Sequence, residues 1–243
     1  MIDVMNVQCP HCKQEFSVDM YLGEETLSPE ACLTRKTKQH ISWNEINEEI
    51  CNGNGRAVLA DGDTITFKLK NGKTVTVSVV AHNLYNPREV IFMFDDIYWQ
   101  SSMNSRDTNR GGWAESKVAD YIQNEIQPLL PDELLAVIKS RKIKQKLDNM
   151  EYTRESKLWL PSKTELFGES ERYVECDFGD KQFSLFTTER SRVKCKENGE
   201  TDWYWLRSPY VDYSTSFWIV YYYGGSSDYT ASYTYGVCPC FSI

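Results

Sequence analysis

Apolar and polar residues alternate with a period of two in two neighbouring stretches, residues 64–70 and 74–80. This alternation is typical of strands that bury one face. Asn71-Gly72 lies between the two stretches and favours a type I′ turn, so the pattern predicts a β-hairpin. The apolar run at residues 89–94 predicts a further strand.

Helix signals lie on both sides of these strands. Ser42 is a candidate N-cap with Glu45 three residues later, which predicts a short capped helix. Residues 115–126 place apolar side chains four apart, which predicts a helix with one buried stripe: Val118, Ile122 and Ile126. Pro131 and the acidic pair after it predict the start of a second helix, whose apolar residues are Leu134, Leu135 and Ile138.

Beyond residue 157 the apolar runs become short, and irregular segments separate them. Such runs predict short strands rather than long helices. Short strands, irregular loops and a pair of helices together predict an α+β fold.

The charge balance narrows the expected partners. The chain has 27 Lys and Arg against 35 Asp and Glu, a formal net charge of −8. Such a surface repels polyanions, so nucleic acid is not expected as a partner. No apolar run approaches the roughly 20 residues of a membrane span, and residues 1–8 lack the features of a secretory signal. We therefore expect no membrane span, no signal peptide and a cytoplasmic location at synthesis.

The eight cysteines are scattered, and in a reducing compartment most would be free or metal-bound. Cys9-Pro-His-Cys12 resembles one half of a zinc ribbon. The second half would draw two ligands from three isolated residues: Cys32, His40 and Cys51. Two interpretations remain open, a structural zinc site and a knuckle without metal. In both, residues 1–40 form a small appendage with a structural or docking role.

The C-terminal segment has an unusual composition. Residues 210–235 contain eight Tyr, five Ser, three Thr, two Asp and two Gly, but no Lys, Glu, Gln, Met, Arg, His or Asn. Tyr and Thr favour strands, and Ser and Gly favour turns, so one explanation is ordinary β-structure. The other is a recognition surface, because Tyr gives stiff contact area while small polar residues give adaptable hydrogen bonds.

The order of several motifs resembles one family. The C-terminal motifs are Trp203-Tyr-Trp-Leu-Arg-Ser-Pro209, Phe217-Trp218, Val220, Gly224, Ala231, Tyr235-Gly236-Val237, Pro239 and Phe241-Ser242-Ile243. The upstream motifs are Gly111-Gly112-Trp113 with Ser116, Leu158-Trp-Leu-Pro-Ser162 with Glu165, Phe167-Gly168, and Gln182-Phe-Ser-Leu-Phe186. Together they resemble the variable proteins whose genes are rewritten by diversity-generating retroelements.

That resemblance implies a C-type-lectin-like fold, as in formylglycine-generating enzymes, over residues 41–243. The variable region would span about residues 205–243, and it would bind variable protein or surface-glycan ligands. In this family, variable positions descend from Asn codons whose adenines are replaced. Randomising the first two bases of such codons cannot yield Lys, Glu, Gln, Met or Trp. The first four are absent from residues 210–235, and the one tryptophan, Trp218, stands at a position that the family keeps fixed.

Carried over position by position, the resemblance divides the segment into variable and fixed residues. The core would include Trp205, Leu206, Phe217, Trp218 and Val220, and Arg207 would need a buried ion-pair partner. The candidate variable residues are Tyr210, Asp212, Tyr213, Thr215, Ser216, Ile219, Tyr221, Tyr222, Tyr223, Gly225, Ser226, Ser227, Asp228, Tyr229, Thr230, Ser232, Tyr233, Thr234 and Cys238. Cys238 stands where the family commonly has Arg, so a structural role for it is the alternative.

Three other functions would each require particular residues. An oxidase of the formylglycine-generating type would need reactive cysteines, for which Cys238-Pro-Cys240 is the nearest candidate. A structural interaction module of a phage or bacterium, with one fixed partner, would use the same aromatic segment. A Ca²⁺-dependent lectin would need Glu-Pro-Asn or Trp-Asn-Asp, and neither tripeptide occurs. We expect no catalytic residue and no required cofactor, and association with a phage particle or cell-surface assembly would bring the protein to its target.

Overall fold

The computed structural model describes residues 3–8, 15–20, 42–168, 177 and 179–243. Its architecture is mixed α+β, with several small, mostly antiparallel sheets and few helices. The described helices are α1 (Trp43–Cys51), α2 (Gly55–Val58), α3 (Lys117–Tyr121), α4 (Asp132–Val137), α5 (Lys163–Phe167) and α6 (Glu189–Arg192). A π-helical turn at Ile122–Ile126 and a 3-10 turn at Gln127–Leu129 continue α3.

The strands form five sheets. The strand bounds are β1 (Asp3–Gln8), β2 (Glu15–Met20), β3 (Thr64–Lys68), β4 (Thr74–His82), β5 (Val90–Phe94), β6 (Asp96–Ile97), β7 (Trp99–Ser102), β8 (Arg141–Leu147), β9 (Met150–Ser156), β10 (Lys194–Lys196), β11 (Thr201–Asp202), β12 (Tyr204–Pro209), β13 (Ser216–Val220), β14 (Ser226–Thr230), β15 (Thr234–Val237) and β16 (Cys240–Ser242). The strand orders are β1-β2, β11-β10-β6, β14-β13-β12-β15-β7, β16-β5-β4-β3 and β8-β9.

The predicted capped helix is confirmed at α1. The Ser42 side chain accepts a hydrogen bond from the Glu45 amide, and the Glu45 carboxylate accepts one from the Ser42 amide, which completes a capping box. The buried residue Trp43 contacts the rings of Phe92 and Phe241 edge-on, with ring centroids 5.7 and 5.9 Å apart. The helix therefore packs on the sheet that contains both β5 and the C-terminal strand β16.

The predicted hairpin is confirmed as β3–β4, but the predicted type I′ turn is wrong. A type I′ turn needs a positive φ at both central residues, and of Asn71 and Gly72 only the glycine has one, at +87°. The Gly72 amide donates to the Leu69 carbonyl, and the Leu69 amide donates to the Lys73 carbonyl. The connection is a three-residue loop in which Gly72 takes the left-handed position.

The predicted helices at 115–126 and after Pro131 are also present. The first begins at Lys117 because Ser116 caps it, two residues later than predicted. The last turn of this helix widens to π geometry, yet the predicted stripe of Val118, Ile122 and Ile126 is fully buried. The second helix is α4, which begins after Pro131 and buries Leu134.

Hairpin β8–β9 was not predicted. Its two-residue turn is Asp148-Asn149, and both residues have a positive φ, as a type I′ turn requires. Ile143, Gln145 and Leu147 are buried on one face of β8, while the residues between them are exposed. The buried Gln145 accepts a hydrogen bond from the Trp113 amide at 2.6 Å and donates to the Arg207 carbonyl at 3.1 Å. The hairpin therefore packs on the core through two apolar residues and one polar residue, which bonds to two separate segments.

A ring of four charged side chains lies in the interior. Arg207 is completely buried and pairs with Glu165 at 2.6 Å and with Asp180. Arg141 bonds to the second oxygen of each carboxylate, at 2.5 Å to Glu165 and 2.6 Å to Asp180. Two arginines thus share two carboxylates. Burial alone would raise the pKa of Glu165, but Arg207 and Arg141 lower it to about 2, so this carboxylate is ionised. Burial raises the pKa of Asp180 to about 7; both of its oxygens accept from arginines, and this geometry favours the ionised form.

Arg207→Met tests how much stability this ring contributes. Without Arg207, the two carboxylates keep only Arg141, so we expect the free energy of unfolding to fall by about 3–5 kcal/mol. The control is Lys144→Ala, which removes an exposed ion pair to Glu151 and should cost less than about 1 kcal/mol. Urea denaturation measures both variants. Equal effects in the two variants would show that the ring contributes no more than a surface pair.

Candidate functional site

The strands of the Tyr-rich segment, residues 210–235, all belong to the five-stranded sheet. β13 is buried along its whole length between β12 and β14. β14 is an edge strand, and all of its residues are part-exposed. The loops before β13 and β15, and the turn before β14, contain the most exposed residues of the segment. The sheet therefore supports an exposed surface built from its edge and from three connections.

Seven aromatic rings form one group on this surface, which we call the tyrosine face: Trp203, Tyr221, Tyr222, Tyr223, Tyr229, Tyr233 and Tyr235. Trp203 is at its centre, with ring centroids 4.7 Å from Tyr221, 5.9 Å from Tyr229 and 5.4 Å from Tyr235. Tyr222 and Tyr233 are 46% and 52% exposed. The arrangement offers a broad aromatic contact area with hydroxyl groups, whose rings support one another and need little ordering on binding.

The loop between β12 and β13 carries a second aromatic pair. Tyr213 is 61% exposed and stacks on Tyr210, with ring centroids 5.6 Å apart. Tyr210 in turn contacts the Trp218 ring edge-on at 4.9 Å. The exposed ring is therefore connected to the buried strand β13 through aromatic contacts.

Asn109 holds the main chain of this loop from outside the segment. Its side-chain amide lies 2.9–3.0 Å from the carbonyl oxygens of Tyr210, Tyr213 and Ser216, and its main-chain amide donates to the Ser214 carbonyl at 2.7 Å. Asn109 is almost completely buried. Asn109 thus holds the loop through main-chain carbonyl groups, which every residue type supplies.

The turn before β14 is fixed in the same way. The Arg192 Nε donates to the Gly224 carbonyl at 3.0 Å. Gly224 has a φ of +91°, and a Cβ there would overlap the Glu189 carbonyl oxygen, so only glycine fits. At Gly225 an added Cβ would meet only the ring of Tyr223, a side chain that can move. The resemblance predicts that Gly224 is fixed and Gly225 variable; the backbone explains why residue 224 must be glycine, while the variability of residue 225 stays a prediction.

The candidate variable residues differ in exposure. Exposed ones are Asp212, Tyr213, Thr215, Tyr222, Tyr223, Ser232, Tyr233 and Thr234. Part-exposed ones are Tyr210, Tyr221, Ser226, Ser227, Asp228, Tyr229 and Thr230. Buried ones are Ser216, Ile219, Gly225 and Cys238. These four buried residues do not belong to the contact surface. Ser216 and Ile219 lie in the buried strand β13, Gly225 lies under the Tyr223 ring, and Cys238 lies in the core. Their variability stays a prediction.

The predicted core residues of the segment are confirmed. Trp205, Leu206, Phe217 and Val220 are completely buried, and Trp218 is 7% exposed. The predicted partner of Arg207 exists and is double, since Glu165 and Asp180 both bind it. The residues that support the surface are thus distinct from those that form it.

Of the cysteines whose state is described, three are free, as predicted for most of them, and one is disulfide-bonded. Cys238 and Cys240 are buried free thiols, and burial raises the pKa of Cys238 to about 12 and that of Cys240 well above its usual value. Such thiols are poor nucleophiles. Cys51 is also free, whereas Cys195 is disulfide-bonded. Cys9 and Cys12, the proposed zinc ligands, lie outside the described residues, and the described part of the chain has no cluster of three or more metal-ligating side chains.

Three residues of the site had no sequence prediction of their own. Trp203 was only part of a fixed motif, although its spacing from Trp205 places both on one side of a strand. Asn109 lies more than 100 residues before the loop that it holds, so no local pattern could identify it. Lys163 was not considered, yet its ammonium lies over the Trp218 ring at 4.4 Å.

Comparison with known proteins places the chain in a domain family. The family model for a domain of unknown function (DUF6273) matches residues 88–243, more than half of the chain. The chain therefore belongs to the DUF6273 family. No curated protein and no solved structure matches it significantly. No helix among the described residues is long and apolar enough to cross a membrane.

Asn109→Ala and Tyr222→Ala form a matched pair of variants for the division between support and surface. The first removes the side-chain amide that the loop carbonyls share, and we expect the free energy of unfolding to fall by about 1–3 kcal/mol. The second truncates an exposed ring and should cost less than about 1 kcal/mol. Denaturant unfolding measures both. Loss of folding in Tyr222→Ala would contradict the assignment of this ring to an exposed face.

Proposed function

We propose that the protein is a ligand-binding variable protein of the retroelement-diversified class, and that the tyrosine face with the loop at 210–215 contacts its ligand. The observation that carries the proposal is that different residues support this surface and form its exposed side. Asn109 and Arg192 hold its main chain from outside, so its exposed side chains are free of that task. Substitutions there can change specificity while the scaffold stays intact.

We also propose that residues 42–243 adopt a C-type-lectin-like fold. The path of the chain supports this proposal, because the last strand returns to the first large sheet. β16 pairs with β5, and the Ile243 amide donates to the Val90 carbonyl at 3.1 Å. The long excursion between β5 and β16 contains the second large sheet and the exposed surface. Substitutions in the segment between β5 and β16 then leave these two paired strands unchanged.

The side chains of the surface support binding to macromolecular ligands, either proteins or surface glycans. Tyr and Trp rings lose little conformational entropy on binding, and the Ser, Thr and Asp residues between them supply hydrogen-bonding groups. The surface extends along an edge strand and three connections, and it is not a closed cavity. Affinity would come from a few central rings.

Displayed libraries test this binding function. One library randomises Tyr213, Tyr222, Tyr223, Ser232 and Tyr233. The control library randomises five exposed positions of hairpin β8–β9: Lys142, Lys144, Lys146, Glu151 and Thr153. Both are displayed on yeast and selected against the same panel of proteins and glycans.

We expect both libraries to stay folded and the first to yield specific binders much more often. In a selected binder that retains Tyr222, Tyr222→Ala should weaken binding by about 1–2 kcal/mol if this ring is central to the contact. Equal yields from the two libraries would refute the proposal. Loss of folding throughout the first library would instead favour a module whose aromatic segment packs on one fixed partner.

A further inference from the structure

Lys163 is a buried cation next to the Tyr-rich sheet. It is the first residue of α5 and is only 9% exposed. Its ammonium lies over the Phe167 ring at 3.6 Å and over the Trp218 ring at 4.4 Å. It donates one hydrogen bond, to the Ser226 hydroxyl. Among the described residues, no carboxylate is within ion-pair distance of this ammonium.

A second buried cation, Arg192, contacts the same aromatic ring. The Arg192 guanidinium lies over the Phe167 ring at 4.2 Å. Its hydrogen bonds go to main-chain carbonyls only, at Gly224, Leu166 and Phe186. Burial, and then the charge of Arg192, lower the pKa of Lys163 to about 8. Two cations lie on one aromatic ring, and neither makes an ion pair with a described carboxylate; Glu189, close to Arg192, offsets part of their charge.

The Lys163 ammonium has unused hydrogen-bonding capacity. It has three N–H donors, and the described residues offer one acceptor, the Ser226 hydroxyl. A desolvated cation is costly unless it is paired, and the faces of aromatic rings offset only part of that cost. Ser226 is part-exposed on the edge strand β14, so it links the buried ammonium to the surface. An acceptor with negative charge would complete this site.

We propose that Lys163 binds an oxyanion of the ligand, a carboxylate, sulfate or phosphate group, beside Ser226. The site lies at the edge of the proposed binding surface, and in that respect the inference rests on the proposed function. Residue 226 then determines specificity. Serine leaves the ammonium available to a ligand, whereas aspartate at this position would neutralise it from within the chain.

The experiment follows the lysine side chains of the full-length protein, labelled with ¹³C at Cε, by NMR near neutral pH. Lys163→Met identifies the Lys163 signal. Sodium acetate, sulfate and phosphate are titrated separately against sodium chloride at matched ionic strength. We expect a saturable shift of the Lys163 signal with at least one oxyanion and none with chloride. The salt that acts identifies the anionic group.

Ser226→Asp and Ser226→Ala provide the matched variants, and their unfolding midpoints show whether both are folded. The aspartate should weaken the response of Lys163 to oxyanions by about ten-fold or more, while the alanine should preserve it. Equal shifts in all four salts, or an unchanged response in Ser226→Asp, would overturn the proposal. The salt response needs no ligand of the tyrosine face, so failure of the library selections would not affect it.

Discussion

The buried guanidinium of Arg207 is the constraint on which the rest of the structure depends. A cation without access to water needs partners of opposite charge, and the partners of Arg207 come from three separate parts of the chain. Glu165 belongs to α5, Asp180 follows that helix, and Arg141, which closes the ring, begins β8. Because Arg207 lies on β12, the ring fixes the central strand of the five-stranded sheet against the core. The tyrosine face lies on the sheet that has β12 at its centre: Trp203 comes just before this strand, and the other rings lie on β14, on β15 and in their connections.

A second consequence is the separation of support from contact. The support consists of residues such as Asn109, Arg192 and Gly224, which hold or shape the main chain. The contact surface consists of exposed rings and small polar residues that make few bonds to the core. Lys163 shares features of both groups. It is buried like a support residue, but it bonds to Ser226 of the surface. A binding protein built in this way can change its specificity at many positions without changing its fold.

Local patterns predicted the local structure. Alternation identified β3–β4, and a capping box identified α1, because both features are set by neighbouring residues. Arg207 could be assigned an ion-pair partner since a buried charge needs one, but Asp180 and Arg141 could not be named, because these contacts join distant segments. Hairpin β8–β9 escaped notice because its exposed face is highly charged and its buried face includes Gln145. Ser216, Ile219 and Cys238 were assigned by family pattern alone, which does not report burial.

The most direct test of the account is deep sequencing of the codons for residues 200–243 in a population that carries the gene. The proposed function predicts substitutions at exposed positions such as Tyr213, Tyr222 and Tyr233, traceable to adenines of a nearby template repeat. Arg207 and Gly224 should stay invariant, since a buried ion ring and a left-handed backbone require them. Substitutions spread evenly over buried and exposed positions would contradict the account. A uniform segment at a locus without a template repeat or reverse transcriptase would contradict it equally.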